Sequence, residues 1–340
     1  MRRHARRLGL APSGRQPRPD VAVLPLPPLL MAERDSHRSA ILGVLKTLVA
    51  RLGHTAAQVK LDFSPVKRIY PGGMLMLLAY LEMLTEESPN RIRAACPPGS
   101  MAAQLINHFG FGQRLRVPSA GNTPQHHSVI NWRFATGRQA DGGKIAVHIQ
   151  SFADMVGSSM PGGLYNALTE AMTNVRHHAY PDSAGIPESL QRWWLFSQCR
   201  PPTAAAPGQL YLAFYDIGVG IPASMRTRLE TLREQLREGF DALMASLGLN
   251  TTGEQDGRLL RLAIDEPRTS TGLPFRGKGL PEMKEFAAST LGGRMTIVSG
   301  RAQYSYLAGN GAPVLSKCAQ PILGTLILWN LPLTWKEATP

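Results

Sequence analysis

The chain has 340 residues, 43% of them apolar, and 37 Lys and Arg against 24 Asp and Glu give a formal charge of +13. That apolar share supports one or two well-cored domains and excludes wholesale disorder. The charge points toward anionic partners: nucleic acid, an acidic membrane surface or a phosphate-bearing ligand. Three scattered cysteines, Cys96, Cys199 and Cys318, suggest neither a disulfide framework nor a metal knuckle. No apolar run approaches bilayer length, and prolines interrupt "VAVLPLPPLL", so the expectation is a cytoplasmic protein with no membrane association.

Residues 1–32 read as a disordered basic tail, with Arg2, Arg3, Arg6, Arg7, Arg15 and Arg18 among prolines. From 33 to 53, Ile41, Leu42, Leu45, Leu48 and Val49 recur at helical spacing before Gly53. "VKLDF" (59–63) alternates like a half-buried strand, and the turn "YPGG" (70–73) precedes an apolar helix over 74–84. A strand at 91–96 and a helix at 101–111 complete a small α/β domain over 33–115. Residues 116–143 hold turn formers without sustained apolar period and read as a linker. A second domain over 144–335 opens with a strand at "KIAVHIQSF" (144–152) and a helix from Gly163 to His178. Strands "WWLFSQC" and "QLYLAFYDI", a charged helix over 225–248 and a glycine turn opening a helix at 276–290 follow. "RMTIVSG", "AQYSYLA" and "GTLILWNLPL" close the domain as strands.

"EAMTNVRHHAY" (170–180) places Glu170, Asn174 and His178 four residues apart, in one polar stripe beside the apolar Leu164, Leu168, Ala171 and Val175. Asparagine oxygen suits a Mg²⁺ that keeps several waters and bridges phosphates, and a neighbouring glutamate can accept a nucleophile's proton. An exposed helix face carries the same residues by chance. "YLAFYDIGVGIP" ends a strand on Asp216, with Gly218 and Gly220 leaving backbone open to close approach. A carboxylate there can accept an exocyclic amine. In "RGKGL", Gly277 and Gly279 precede a helix start, an anion-binding arrangement to which Arg276 and Lys278 add charge. Asp and Gly are also ordinary turn formers.

Taken in order, these boxes and the Gly-Thr of a late strand resemble the ATP-binding module shared by DNA gyrase B, histidine kinases and the MutL mismatch-repair proteins. This is the GHKL superfamily, and the likeness covers about residues 145–335. It implies a Bergerat-type α/β sandwich, a mixed sheet covered by helices, with ATP and Mg²⁺ as cofactors. Carried over, Asn174 would coordinate Mg²⁺ and Asp216 the adenine amine. Gly218 and Gly220 would line the pocket, Gly277 and Gly279 would approach phosphates, and Thr325 would join the adenine side. His178, Arg276 and Lys278 would border the nucleotide, and Glu170 would be the general base.

Among relatives, the nearest look is to the anti-sigma-factor serine/threonine kinases, and no His-Glu/Asp-x-x-Pro phosphoacceptor stretch lies upstream. The amino-terminal half resembles the STAS fold of anti-sigma-factor antagonists, although "YPGG" offers no hydroxyl where that family carries its phosphoacceptor serine. The implied protein is a regulatory ATPase or a kinase acting on protein Ser/Thr. An ATP-sensing interaction module with little turnover is the alternative, and nucleic-acid binding through the basic surface a lesser one. A protein partner would be met through the STAS-like domain or the lid over 222–275, and homodimerisation stays open.

Overall fold

The structure, a computed structural model, describes residues 21–53, 58–117, 132–147, 150, 163–204, 206–236, 255–265 and 279–333. The arginine-rich stretch 1–20 lies outside the described residues. The fold is mixed α/β with three sheets.

The first unit is built on three parallel strands, β1 (Val21–Pro25), β3 (Gln58–Asp62) and β5 (Ile92–Ala95), in the order β1-β3-β5. A two-stranded parallel ladder joins β2 (Leu29–Leu30) to β4 (Arg68–Ile69). Helices α1 (Asp35–Gly53), α2 (Pro71–Glu87), α3 (Met101–His108) and the short α4 (Gly112–Leu115) surround them. Ser100 caps α3 by accepting the Ala103 N–H at 3.3 Å. Residues 21–25 correct the expectation of a disordered tail to residue 32. They form an edge strand, where Pro25 can sit at the end without removing a central hydrogen bond.

The second unit is a five-stranded sheet in the order β6-β7-β8-β10-β9. Its strands are β6 (Trp132–Gly137), β7 (Trp193–Arg200), β8 (Gly208–Asp216), β9 (Arg294–Leu307) and β10 (Val314–Leu333). Every adjacent pair is antiparallel, where the resemblance implied a mixed sheet. β6 falls inside the expected linker 116–143; Trp132, Phe134 and Phe196 cluster with Phe109 and fix it to the sheet edge. The expected strand at 144–152 is corrected over residues 144–147, while 148, 149, 151 and 152 lie outside the described residues. Residues 142–147 are helical, because Asp141 accepts the Lys144 N–H at 3.0 Å and turns the chain.

The two faces of this sheet follow the period-two rule. Trp194, Phe196, Ala213, Tyr215, Leu326 and Leu328 point to one side and join the core of the first unit. Trp193, Leu195, Leu212, Phe214, Ile327 and Trp329 point to the other and meet the helices of the second. Those helices are α5 (Leu164–Asn174), α6 (Ile221–Leu236), α7 (Gln255–Asp265) and α8 (Gly279–Ala288). A π-helical turn, Val175–Ala179, prolongs α5.

α2 explains its own sequence. It is buried almost all round because it lies between the first unit and the outer face of β7, β8 and β10. "YPGG" is its first turn rather than a separate loop, with Pro71 at the helix start. A Cβ at Gly72 would come 2.6 Å from Leu328, and one at Gly73 would strike the Leu30 backbone. The glycines are there for close packing.

Candidate functional site

One cleft opens on the helix-covered side of the sheet. Its lining includes Asn174 and His178, Asp216 and Gly220, Ser224 and Arg228 of α6, Gly279 of α8, and Thr325 and Ile327 of β10. Strand register brings the β-strand residues together. Asp216 is paired with Thr325 across β8 and β10, and the alternation turns both toward the site, as it does Phe214 and Ile327.

Asp216 is buried at the end of β8. Its Oδ1 accepts the Gly218 N–H at 2.9 Å. Burial pushes the carboxyl up to about 7, against the opposing pull of the Gly218 and Thr325 backbone N–H groups. Gly218 fits only as glycine, since a Cβ there would strike the Ala179 carbonyl. That carbonyl accepts the Val219 N–H at 2.9 Å, which ties the aspartate turn to the end of the π-helical segment. Gly220 has φ +81 and a Cβ there would meet Ser299 Oγ at 2.7 Å.

The buried Ser299 hydroxyl is the hinge of this wall. It donates to Gly324 O at 3.0 Å, accepts the Ile221 N–H at 2.9 Å and lies 3.1 Å from Thr325 Oγ1. Tyr180 acts similarly on the other side, donating to Arg192 O at 2.6 Å and accepting the Ile217 N–H at 3.2 Å.

On the helix wall, Asn174 Nδ2 is buried with no hydrogen-bond partner among the described residues. An orphaned amide in a cleft is costly unless a ligand completes it. Glu170 stands one turn earlier, beside Gly279. A Cβ on Gly279 would collide with Glu170 Oε2 and lie 3.1 Å from Asn174 Nδ2. His178, within the π turn, borders the cleft and keeps an exposed side. Burial of its inner side, then the charge of Arg228, push the imidazole down to about 4, so it is neutral at physiological pH. Among the described residues, no group of three or more His, Cys, Asp or Glu could hold a metal ion. Any cation here would need oxygens from a ligand as well as Asn174.

Comparison with family models, curated proteins and solved structures finds no match to this chain. The assignment of the site therefore rests on its own geometry.

Of the residues singled out in the sequence, Asn174, His178, Asp216, Gly220, Gly279 and Thr325 meet around the cleft. Glu170 flanks it beside Gly279, and Gly218 lies behind Asp216 against Ala179. Arg276, Gly277 and Lys278 are outside the described residues. Sequence reasoning missed Tyr180, Ser299, Gly324 and, as a cleft residue, Arg228. The last was detectable: Ile221, Ser224, Met225 and Arg228 recur at three- and four-residue spacing on one face of α6. Desolvation lowers the Arg228 guanidinium's affinity for its proton, yet an arginine stays charged, so the cleft carries a fixed cation.

Proposed function

We propose that this chain is a Mg²⁺-ATP-binding regulatory protein of the GHKL type, one that hydrolyses ATP or phosphorylates a protein partner on Ser or Thr. The observation that carries the reading is the convergence of Asp216, Thr325 and Asn174, distant in sequence, on one cleft. In this reading the second unit is a Bergerat-type sandwich and the first, with its parallel β1-β3-β5 sheet, a STAS-like module.

The donor set fits the nucleotide and its cation. Asn174 carries a buried amide nitrogen with no partner among the described residues, and rotation about its side chain exchanges donor for acceptor oxygen. Asp216 would accept the exocyclic amine of adenine, with Thr325 Oγ1 beside it. Arg228 would offer charge to phosphate oxygens. Bound Mg²⁺ would neutralise charge on the phosphates. Glu170 would take the proton from the attacking water or protein hydroxyl, and the helix wall would hold that nucleophile in place. The raised position of Asp216 gives a sign. Below about pH 7 its carboxyl gains a proton and loses acceptor capacity, so affinity for adenine nucleotides should fall as pH drops through that value.

ATP binding and hydrolysis by the wild type, Asp216→Ala and Glu170→Ala test the proposal. Loss of binding in the first variant is expected, with retained binding and turnover reduced about 100-fold or more in the second. Undiminished turnover in both variants would overturn it. Binding without turnover even in the wild type would leave the ATP-sensing reading.

A further inference from the structure

On the outer side of the α6–α7 pair lies a second concavity, of about 690 Å³. Arg226 of α6, Arg258 and Arg261 of α7, Arg301 of β9 and Lys317 of β10 line it. Asp256 is the one carboxylate among its described lining residues, and Asp265, beside the concavity, pairs with Arg261 at 3.8 Å. Five cations against these two carboxylates leave the surface with an excess of positive charge, and all its cations except Arg226 are exposed.

The fold assembles this surface deliberately from four elements. Asp256 receives Arg226 and, at 2.9 Å, the backbone N–H of Arg301. Gly300, at φ +57, lets β9 come close to that carboxylate; a Cβ there would meet Asp256 Oδ2 at 2.7 Å. The neighbour of Arg301, Ala302, is paired with Lys317 in the β9–β10 ladder. Asp256 thus holds the elements that present the cations while neutralising only part of their charge.

We propose that this groove binds the phosphodiester backbone of a nucleic-acid duplex without reading its sequence. The apolar lining is limited to Ala302 and Leu315 beside a glycine, whereas protein interfaces are depleted of charge at their centre. Among the described residues no aromatic side chain lines the groove to stack an unpaired base, which favours a duplex over a single strand. Arginine, lysine and the Ser316 hydroxyl are the groups that contact phosphates. The groove is distinct from the nucleotide cleft: Arg226 faces it, while Arg228 faces the cleft. Its test needs no nucleotide.

Fluorescence anisotropy of a short labelled duplex with the full chain, without ATP or Mg²⁺ and over a salt series, reads the proposal. Binding should weaken steeply with salt, by about 0.9 log units per log unit of salt for each phosphate neutralised. Arg258→Glu with Lys317→Glu should weaken it at least ~10-fold and flatten the salt slope by about two. Arg258→Gln with Lys317→Gln, a gentler change, should act in the same direction if the double reversal misfolds. Circular dichroism checks the fold of each. The inference is overturned by absent binding at low salt, or by groove variants that bind like wild type. Loss of binding only when Arg2, Arg3, Arg6, Arg7, Arg15 and Arg18 become Gln would place it in the tail instead. Preference for an acidic peptide or for anionic vesicles over the duplex would overturn it too.

Discussion

Asp216 is the residue at which folding and the proposed recognition of adenine pull in opposite directions. Its carboxyl is buried, and two backbone N–H groups offset only part of the lost hydration, so it sits at about 7 instead of near 4. A carboxyl whose folded pKa is raised stabilises the fold fully below its unfolded pKa and loses that contribution as pH rises through the folded one. Between about pH 4 and 7 the protein should therefore lose a few kcal/mol from this group alone. Asp216→Asn keeps an acceptor for the Gly218 N–H and removes the titration. Its Tm should exceed that of the wild type at pH 8 and approach it at pH 5. Parallel Tm profiles for the two proteins would show that the burial cost is not felt. The aspartate was legible because its strand ends on glycines, a pattern confined to neighbouring residues. Ser299 and Tyr180 were not, because each acts through a partner far along the chain, Gly324 and Arg192.

At the scale of elements, Glu82 on α2 shows how the first unit is fastened to the second. It is buried and accepts Arg114 and Arg192 at 3.0 Å each and the Trp194 indole N–H at 2.7 Å. Glu82→Ala would strand two guanidinium groups and a buried indole donor. The two arginines keep some solvent contact, so the loss should be about 2–3 kcal/mol. Glu82→Gln, which keeps an acceptor for Trp194, should cost less. A lower denaturant midpoint with an unchanged slope would check this, and a midpoint equal to the wild type would refute it. α1, α2, β7 and β8 were legible, since each carries its own sustained period. β6 was not: it has six residues between turn formers, and its place depends on aromatic neighbours from elsewhere. Residues 144–147 misled because three consecutive apolar residues cannot separate a strand from a helix, and Asp141 upstream decided the matter.

For the whole molecule, the decisive feature is that the five-stranded sheet has no free face. Helices α5 and α8 cover one side, and the core of the first unit includes Trp194, Phe196, Tyr215 and Leu328 from the other. Tyr80 of α2 continues this contact toward the cleft. Its hydroxyl accepts the Leu323 N–H at 3.2 Å, while Tyr215 donates to Leu323 O at 2.8 Å. Leu323 stands two residues before Thr325, so the two units share both packing and a hydrogen-bonded path to the site wall. Units joined by a common core cannot unfold separately without exposing it. Heat or denaturant should therefore give one transition. Trp132, Trp193, Trp194 and Trp329 are all buried in the sheet, so with Trp335, which lies outside the described residues, replaced by Phe, tryptophan fluorescence reports the second unit. Far-ultraviolet circular dichroism also weighs α1 and α2, the long helices of the first. The two midpoints should coincide; a fluorescence transition clearly displaced from the dichroism transition would mean that the units hold their structure independently.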